Sequence, residues 1–208
     1  MIVIIDYGVG NLASVKNALD KLGAESKISS DPLVIKKAKA LILPGVGAAG
    51  QGMKNLKKSG LDKVLVGEIK KGKPFLGICL GMQLLFEKSE EGNVNCLGIF
   101  KGQVKKFKKM RKIPQIGWNQ VKLQVQNSKC KVQNLQGVPN NSFFYFVNSY
   151  YCLPEDKDTI IGLTDYGEEF ASIVVKKNII GVQFHPEKSG QVGFKLLENF
   201  VKGDTYVS

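Results

Sequence analysis

Residues 75–86 read Phe-Leu-Gly-Ile-Cys-Leu-Gly-Met-Gln-Leu-Leu-Phe. The apolar run that ends at Ile78 predicts a buried strand, and the segment from Leu80 to Phe86 predicts a helix that follows a sharp turn. Such an elbow places Cys79 beyond the end of a strand and at a helix N-terminus, where the helix dipole and free N–H groups favour a thiolate. The sequence therefore presents Cys79 as a candidate nucleophile.

The only histidine of the chain, His185, lies far downstream in the segment Gln183-Phe184-His185-Pro186-Glu187. Positions i and i+2 of an extended segment point the same way, so His185 and Glu187 can face one site. Pro186 biases the histidine toward an extended conformation. By itself this segment would fit a loop without a catalytic role. Together with Cys79 it predicts a nucleophile, a base and an orienting acid, brought together from distant segments.

Strands and helices alternate through the first half of the chain. The predicted strands are 1–5, 40–43 and 75–78, and the predicted helices are 11–22 and 61–71. This alternation predicts a parallel sheet with helices on both faces. The second half is rich in β-branched and aromatic residues at 99–107, 119–125, 143–147, 159–165, 170–176 and 179–184, before an amphipathic helix at 190–201. We therefore expect an α/β fold, a single domain over residues 1–208 whose largely parallel central sheet gains antiparallel strands.

The composition is that of an ordinary globular protein. The chain has 208 residues, of which 43% are hydrophobic and 23% charged. No apolar run approaches the ~20 residues of a membrane span, and no basic leader precedes the first apolar run, so we expect a cytoplasmic protein without membrane contact. The formal net charge is +12, with lysines densest at 105–112. A solvated edge explains this stretch best. An acidic protein partner comes second and nucleic acid third, because no nucleic-acid motif accompanies the charge.

The cysteines offer no metal site. Cys79, Cys96, Cys130 and Cys152 form no C-x-x-C pair, and one histidine cannot complete a usual zinc site. We therefore expect no metal and no other cofactor. Disulfides are not expected in a cytosolic chain, so the three cysteines other than Cys79 are interpreted as packing residues.

Five motifs, in order along nearly the whole chain, resemble those of the class I (triad) glutamine amidotransferases. They are Asp6–Leu12, Pro44–Gly47, Gly77–Gln83, Ile113–Asn119 and Gln183–Ser189. The elbow and the last motif are specific to the superfamily, and the implied fold is flavodoxin-like. The first and fourth motifs resemble one branch, the glutaminase subunits of imidazole glycerol phosphate synthases.

This resemblance implies an activity and a partner. Cys79 would attack the side-chain amide of L-glutamine and form a thioester, with His185 as base and Glu187 as its orienting acid. Glutamate and ammonia would result. A cyclase subunit with a (β/α)8 barrel would form a heterodimer with the chain and receive the ammonia. It would produce imidazole glycerol phosphate and aminoimidazole carboxamide ribotide in histidine biosynthesis.

The resemblance also nominates residues around the triad. The backbone N–H of Leu80, with that of Val46 or Gly47, would form the oxyanion hole. Glutamine would contact the side chains of Gln83 and Glu91 and the backbone of Ser149 and Tyr150. A carboxylate suits the α-ammonium group, although surface or helix-face roles explain these positions as well. Residues at or near the partner interface would be Asn11, Trp118, Tyr145 and Lys188, with a core position for Trp118 left open.

Two positions depart from the commonest pattern of that branch. Gln115 and Asn148 stand where histidine is frequent. Neither belongs to the triad, so hydrolysis is unaffected, but both lie in segments expected near the partner or the glutamine site. A paralogous subunit that supplies ammonia to a sugar-modifying amidotransferase is therefore an alternative.

Other function classes explain less of the sequence. Residues 8–13 fit the G-x-G-x-x-A pattern of a dinucleotide-binding protein, but that hypothesis leaves Cys79 and the His185–Glu187 pair unexplained. A non-catalytic interaction module would not need these three residues. A cysteine peptidase of related architecture would not need Gln83 and Glu91.

Overall fold

A computed structural model describes residues 1–108, 112–124 and 135–203. Its strands are β1 (Ile2–Ile5), β2 (Ser26–Ser29), β3 (Ala40–Leu43), β4 (Phe75–Ile78), β5 (Lys88–Ser89), β6 (Val94–Asn95), β7 (Gly102–Lys106), β8 (Gln115–Leu123), β9 (Ser142–Asn148), β10 (Tyr150–Pro154), β11 (Ile160–Asp165), β12 (Glu169–Lys176) and β13 (Ile179–Val182). Its α-helices are α1 (Leu12–Lys21), α2 (Pro32–Lys37), α3 (Ala49–Lys58), α4 (Leu61–Lys70), α5 (Leu80–Gln83) and α6 (Gly190–Lys202).

The centre of the sheet is parallel. Strands follow the order β2-β1-β3-β4-β13, and each neighbouring pair in this series runs parallel. Strand β12 then joins β13 antiparallel, and β10 and β7 continue the antiparallel part. Strands β8 and β9 form an antiparallel ribbon that connects to the sheet through β11. The α/β sheet with added antiparallel strands is thus confirmed.

The sheet separates two hydrophobic cores. On β1, Ile2 and Ile4 face a core shared with α1 and α6, whereas Val3 and Ile5 face a core shared with α2, α3 and α4. Alternate residues of a strand point to opposite faces, so a strand covered on both sides must be apolar throughout. This explains the unbroken apolar sequences of β1, β3 and β4.

The helix after Cys79 is shorter than predicted. It ends at Gln83, whereas the sequence predicted it to continue to Phe86. The carbonyl groups of Leu84, Leu85 and Phe86 accept hydrogen bonds from the backbone N–H groups of residues 97–99, at 2.8–2.9 Å. The N–H groups of Leu85 and Phe86 donate only three residues back, to the carbonyls of Met82 and Gln83 at 3.1 and 3.2 Å, so the backbone leaves the α-helical pattern there.

The remaining cysteines and lysines lie largely as the composition predicted. Cys152 is buried and Cys96 is half-buried, while Cys130 lies outside the described residues. In the lysine-rich stretch, Phe107 is buried and the described lysines are half-exposed or exposed, and residues 109–111 lie outside the described part. Across the described ranges, no helix combines the length and hydrophobicity that a bilayer crossing requires.

Candidate active site

The turn between β4 and α5 holds Cys79 in a strained conformation. Its φ is 53° and its ψ is −109°, a region that non-glycine residues rarely occupy. A Cβ atom on Gly81 would collide with the Leu43 carbonyl, and one on Gly77 would lie 2.9 Å from the Gly81 backbone. The turn is therefore compact only with glycine at both positions. The Cys79 N–H donates to the Val182 carbonyl at 2.8 Å, which ties the turn to β13.

His185 lies three positions after the end of β13, and its imidazole is buried. Its Nδ1 lies 2.8 Å from Oε1 of Glu187, whose side chain is also buried. Burial disfavours the imidazolium, but interactions with the Cys79 sulfur and with Glu187 outweigh it and raise the pKa of His185 to about 10. Among the described residues, Nε2 makes no well-aligned hydrogen bond, so this nitrogen stays available for proton exchange with Cys79.

Asn11 completes the surroundings of the histidine–glutamate pair. It adopts a left-handed conformation, with φ of 77°, immediately before α1. Its side-chain amide donates to Oε1 of Glu187 and lies 3.4 Å from Nδ1 of His185. The sequence placed Asn11 at the partner interface and gave no sign of this contact. The loop before α1 therefore helps to hold Glu187.

Backbone contacts fix the histidine as well. The His185 N–H donates to the Tyr145 carbonyl at 2.9 Å. The Ser189 hydroxyl donates to the His185 carbonyl at 2.6 Å and accepts from the Tyr145 N–H at 3.0 Å. These bonds join the His185 segment to β9.

A cavity of about 340 Å³ opens at Cys79. This volume lies within the range of ~300–1,000 Å³ that is usual for small-molecule sites. Its lining includes all the residues predicted for the oxyanion hole and for glutamine binding, namely Val46, Gly47, Leu80, Gln83, Glu91, Ser149 and Tyr150. Segments that are far apart in the sequence thus meet around the candidate nucleophile.

The two polar side chains nominated for glutamine binding lie in different surroundings. Gln83 is buried, and its Nε2 donates to the Tyr150 carbonyl at 3.1 Å and to Oε1 of Gln183 at 3.0 Å. Both amide hydrogens are therefore used within the protein. Glu91 is half-buried, and its Oε2 accepts from the Ala49 N–H at 2.7 Å. Burial raises the pKa of Glu91, and the Ala49 N–H opposes this in part, so a cationic ligand group would stabilise the carboxylate further.

The Pro44–Gly47 turn approaches the elbow from β3. The Leu80 N–H donates to the Gly45 carbonyl at 3.3 Å, so in this conformation it is not free to bind an oxyanion. Gly47 has a φ of 113°, which favours glycine. The Tyr7 ring lies behind the turn, and a Cβ atom on Gly45 would collide with its hydroxyl group. That hydroxyl is buried and has no hydrogen-bond partner in the described part of the chain.

Comparison with known proteins assigns the family. Residues 3–203 match the family model of class I glutamine amidotransferases. The chain belongs to this family. It is 48% identical over 203 residues to imidazole glycerol phosphate synthase subunit HisH of Dehalococcoides mccartyi (strain CBDB1), covering 97% of each chain. It is 50% identical over 205 residues to subunit HisH 2 of Methanococcus maripaludis, covering 97% of this chain and 99% of the relative.

Solved structures agree on the fold of this amidotransferase. A glutamine amidotransferase crystal structure has a TM-score of 0.75 at 17% identity, over 98% of this chain and 99% of the other. A second, from Thermotoga maritima, has a TM-score of 0.72 at 16% identity, over 98% and 97%. At such identities the likeness concerns the fold alone.

One residue that contacts the candidate nucleophile of this amidotransferase was not identified from the sequence. The Gln183 side chain is fully buried, and its Nε2 lies 3.6 Å from Sγ of Cys79. The sulfur also lies 3.7 Å from the Val147 carbonyl, which can accept the thiol hydrogen. Gln183 stands in a motif quoted from the sequence, but only its contact in the fold identifies it.

Gln115 and Asn148, which stand where histidine is frequent in the glutaminase branch, face each other. Gln115 and Asn148 are directly paired across β8 and β9, and both are buried. Asn148 Nδ2 donates to the Tyr150 carbonyl at 3.0 Å, and Asn148 also lines the cavity. The side-chain oxygens of both residues lack a hydrogen-bond partner among the residues that the structure describes. The two positions thus form one buried amide pair beside the site of the amidotransferase.

The outer face of β8 and β9 is apolar and exposed. Trp118 is 55% exposed and lies edge-on to Tyr145, with 6.1 Å between ring centroids. Ile116 and Phe143 are 59% and 53% exposed on the same ribbon. The alternative of a core position for Trp118 is therefore wrong. Lys188 is also exposed, and its N–H donates to the His185 carbonyl at 3.0 Å, next to the triad.

Proposed function

We propose that this chain is the glutaminase subunit of an imidazole glycerol phosphate synthase. It hydrolyses L-glutamine to glutamate and ammonia and passes the ammonia to a cyclase subunit with a (β/α)8 barrel. The observation that carries the proposal is the buried Cys79–His185–Glu187 set at a cavity of about 340 Å³. It occurs in a chain about half identical, over nearly its whole length, to relatives named HisH. We treat residues 1–208 as one glutamine amidotransferase domain acting in the cytoplasm.

The triad geometry supports a two-stage reaction. His185 takes the thiol proton of Cys79, whose sulfur attacks the side-chain carbonyl carbon of glutamine. As the carbon–nitrogen bond breaks, His185 gives this proton to the departing ammonia. Water then adds to the thioester, giving a proton to His185, and the carbon–sulfur bond breaks to release glutamate. Glu187 orients the imidazole through Nδ1 and stabilises its charged form.

Glutamine would be held by groups on opposite sides of the cavity. The Glu91 carboxylate would bind the α-ammonium group, since it is half-buried and its Oε2 accepts from a single N–H donor within the described part of the chain. The Gln83 carbonyl oxygen, whose amide hydrogens are already used, would accept a hydrogen bond from the substrate. The backbone of Ser149 and Tyr150 would contribute the remaining polar contacts.

The oxyanion hole requires a change at the Pro44–Gly47 turn. Leu80 N–H is bonded to the Gly45 carbonyl, so that carbonyl must turn away before the N–H can stabilise an oxyanion. Rotation of the Gly45–Val46 peptide would free the Leu80 N–H and redirect the Val46 N–H. A missing oxyanion donor typically costs ~3–4 kcal/mol of activation free energy. The isolated subunit should therefore be slow, and the partner should accelerate it.

The decisive experiment measures glutamate production from glutamine, with and without a barrel-type cyclase subunit and its nucleotide ligand. We expect strong stimulation by the partner. A Cys79→Ala variant should abolish glutamate production while still binding the partner and supporting cyclase turnover on free ammonium salts. Glutamine hydrolysis that persists in Cys79→Ala would contradict the mechanism.

The same assay distinguishes the histidine-pathway cyclase from the alternative partner, a sugar-modifying amidotransferase. The buried pair of Gln115 and Asn148 is the feature of this chain that motivates a sugar-modifying amidotransferase as partner. Glutaminase turnover that ignores the histidine-pathway cyclase would favour that alternative. Restoring histidine at both positions should leave the stimulation intact if the cyclase is the true partner.

A further inference from the structure

The side chain of Gln183 contacts the proposed nucleophile, Cys79, and the reaction described above gives it no role. It is fully buried, and its Nε2 lies 3.6 Å from the Cys79 sulfur. Its backbone N–H donates to the Ser172 carbonyl at 2.9 Å, which fixes the residue just beyond β13. The side chain has no route to solvent, so its amide must be satisfied by groups inside the protein.

The orientation of this amide follows from its neighbours. The Tyr150 carbonyl can only accept, so Gln83 must present its NH2 group there, at 3.1 Å. The same NH2 group donates to Oε1 of Gln183 at 3.0 Å. Rotating the Gln183 amide by 180° would set NH2 against NH2 and would turn a carbonyl oxygen toward the sulfur. The network therefore directs an N–H of Gln183 at Sγ.

We propose, resting on the glutaminase function above, that Gln183 is a catalytic residue whose side-chain N–H stabilises the Cys79 thiolate. A thiolate is an acceptor only, and the Val147 carbonyl near it can receive a hydrogen bond solely from the neutral thiol. The Gln183 N–H is the complementary group, because it favours the anion. Gln83 acts as a positioning residue that keeps this donor aimed at the sulfur.

A neutral donor has a specific advantage in this reaction. His185 loses its proton to the departing ammonia, so its imidazole is charged at some steps and neutral at others. Its stabilisation of the sulfur therefore changes during the reaction. The Gln183 amide keeps its hydrogens throughout. It can stabilise the thiolate before attack, and again when the carbon–sulfur bond of the thioester breaks and the electron pair returns to sulfur.

The test compares Gln183→Met, Gln183→Glu and the wild type in the complex with the cyclase subunit. Methionine keeps the length of the side chain without an N–H donor, and glutamate replaces the donor with an anion. Hydrogen bonds to charged groups correspond to effects of about ten- to hundred-fold. We expect kcat to fall about that much in Gln183→Met with KM nearly unchanged, and to fall further in Gln183→Glu.

A second measurement needs no glutamine turnover. The rate of Cys79 alkylation by iodoacetamide, followed against pH, reports the fraction of thiolate. We expect the midpoint of this profile to rise by about one to two pH units in Gln183→Met. Gln136→Met, at an exposed glutamine, is the matched control and should give the wild-type midpoint. A folded Gln183→Met variant with the wild-type midpoint and kcat would overturn the proposal.

The two measurements separate this inference from the function on which it rests. If the wild-type complex releases no glutamate, the glutaminase function fails, and the alkylation profile still decides the role of Gln183. If Gln183→Met does not fold, Gln83→Leu replaces it, because it leaves Gln183 in place but removes the group that orients it. The alkylation midpoint should then rise as well, and an unchanged midpoint in Gln83→Leu would count against the proposal.

Discussion

At the scale of the residue, Cys79 adopts a strained backbone conformation, and contacts with neighbouring residues maintain it. Its positive φ is maintained by the bond from its N–H to the Val182 carbonyl and by the close packing of Gly77 and Gly81. Residues in such conformations cost about 1–3 kcal/mol and persist when the surroundings fix them. The strain lifts the sulfur out of the strand, toward His185 and Gln183.

Glu187→Gln should shift the pH dependence of catalysis. The pKa of His185 is raised to about 10, so the imidazolium that protonates ammonia is present below that pH and is lost above it. Removing the Glu187 charge removes one of the two causes of this rise. The alkaline limb of kcat should therefore move to lower pH.

The loss of kcat in Glu187→Gln at neutral pH should also be smaller than in His185→Ala, about 10⁴-fold against about 10⁶-fold. Steady-state kinetics between pH 6 and about pH 10 with each variant checks both statements. An equal or greater loss in Glu187→Gln would mean that the acid does more than orient the base.

Tyr7→Phe should stabilise the protein. The Tyr7 hydroxyl is buried without a hydrogen-bond partner in the described residues, and burial, together with the charge of Cys79, raises its pKa. Such a hydroxyl is desolvated without compensation, so deleting it should raise the free energy of unfolding by about 1 kcal/mol. Urea denaturation of both proteins measures the difference. A loss of stability would mean that the hydroxyl has a partner, such as an ordered water.

The sequence identified the candidate triad more readily than the side chains that surround it. Cys79, His185 and Glu187 belong to short motifs with chemical meaning, and the class I amidotransferase family is confirmed by the family match. The contacts of Asn11 and Gln183 could not be predicted, because they arise only when segments more than a hundred residues apart pack together. An amide side chain has many ordinary roles, and only its partners distinguish them.

At the scale of the element, a buried ion pair joins α2, α4 and the segment before β4. Lys73 Nζ lies 2.7 Å from Oε2 of Glu68 and donates to the carbonyls of Ile35 and Lys36 at 3.0 and 2.7 Å. Hydrogen bonds from Lys71 and Lys73 lower the pKa of Glu68 against the effect of burial. Lys73 therefore satisfies the last carbonyls of α2 and the carboxylate of α4 together.

Lys73→Met should be much more destabilising than Lys71→Met. The first variant leaves a buried carboxylate and two carbonyls without their shared donor, which should cost about 3 kcal/mol of unfolding free energy. The second removes a side chain that is 68% exposed and should cost less than about 1 kcal/mol. Thermal and urea unfolding of both variants measures the contrast, and equal losses would contradict it.

The loss of stability in Lys73→Met should depend on pH. The folded-state pKa of Glu68 is below its ordinary value of 4.5, so its contribution to stability is fully present above that value. It is lost as the pH falls through the folded-state pKa. The destabilisation of Lys73→Met relative to the wild type should therefore shrink in acid.

Long segments with a clear apolar pattern allowed helices and strands to be predicted, whereas short segments of mixed polarity did not. Strands β3 and β4 have the predicted bounds, and α1, α4 and α6 agree to within a residue or two at each end. No element was predicted where β2, α2 and α3 lie. Strand β2 has only half-buried and exposed residues, and α2 has six residues, so neither has a clear period. Helix α3 contains two glycines, which disfavour a helix and hide its buried face.

At the scale of the whole molecule, the proposed partner surface lies on the far side of β9 from the buried core. Strand β9 alternates, with Phe144 and Phe146 buried under the ribbon and Phe143 exposed on its outer face. The His185 N–H is bonded to the Tyr145 carbonyl of this strand. A subunit that packs on Trp118 and Tyr145 would thus contact the strand whose backbone is hydrogen-bonded to His185, the proposed base.

Trp118→Ala should weaken binding to the cyclase subunit. Large aromatic side chains at the centre of interfaces often account for 2 kcal/mol or more, so we expect Kd to rise about thirty-fold. Because Trp118 is already 55% exposed, the unfolding temperature should change little. Isothermal titration of the partner measures Kd, with Leu33→Ala as the control, at a 66% exposed residue of α2. Equal affinity of Trp118→Ala and wild type would place the interface elsewhere.

The pairing of β4 with β13 has a consequence for the synthesis of the protein. Ile78 and Val182 are partners in this parallel pair, so Cys79 meets Gln183 and His185 only after β13 has entered the sheet. Strand β13 begins a hundred residues after Cys79 along the chain. A nascent chain that has not reached β13, or one that terminates before it, therefore contains Cys79 without its proposed base and amide donor, and it should consume no glutamine.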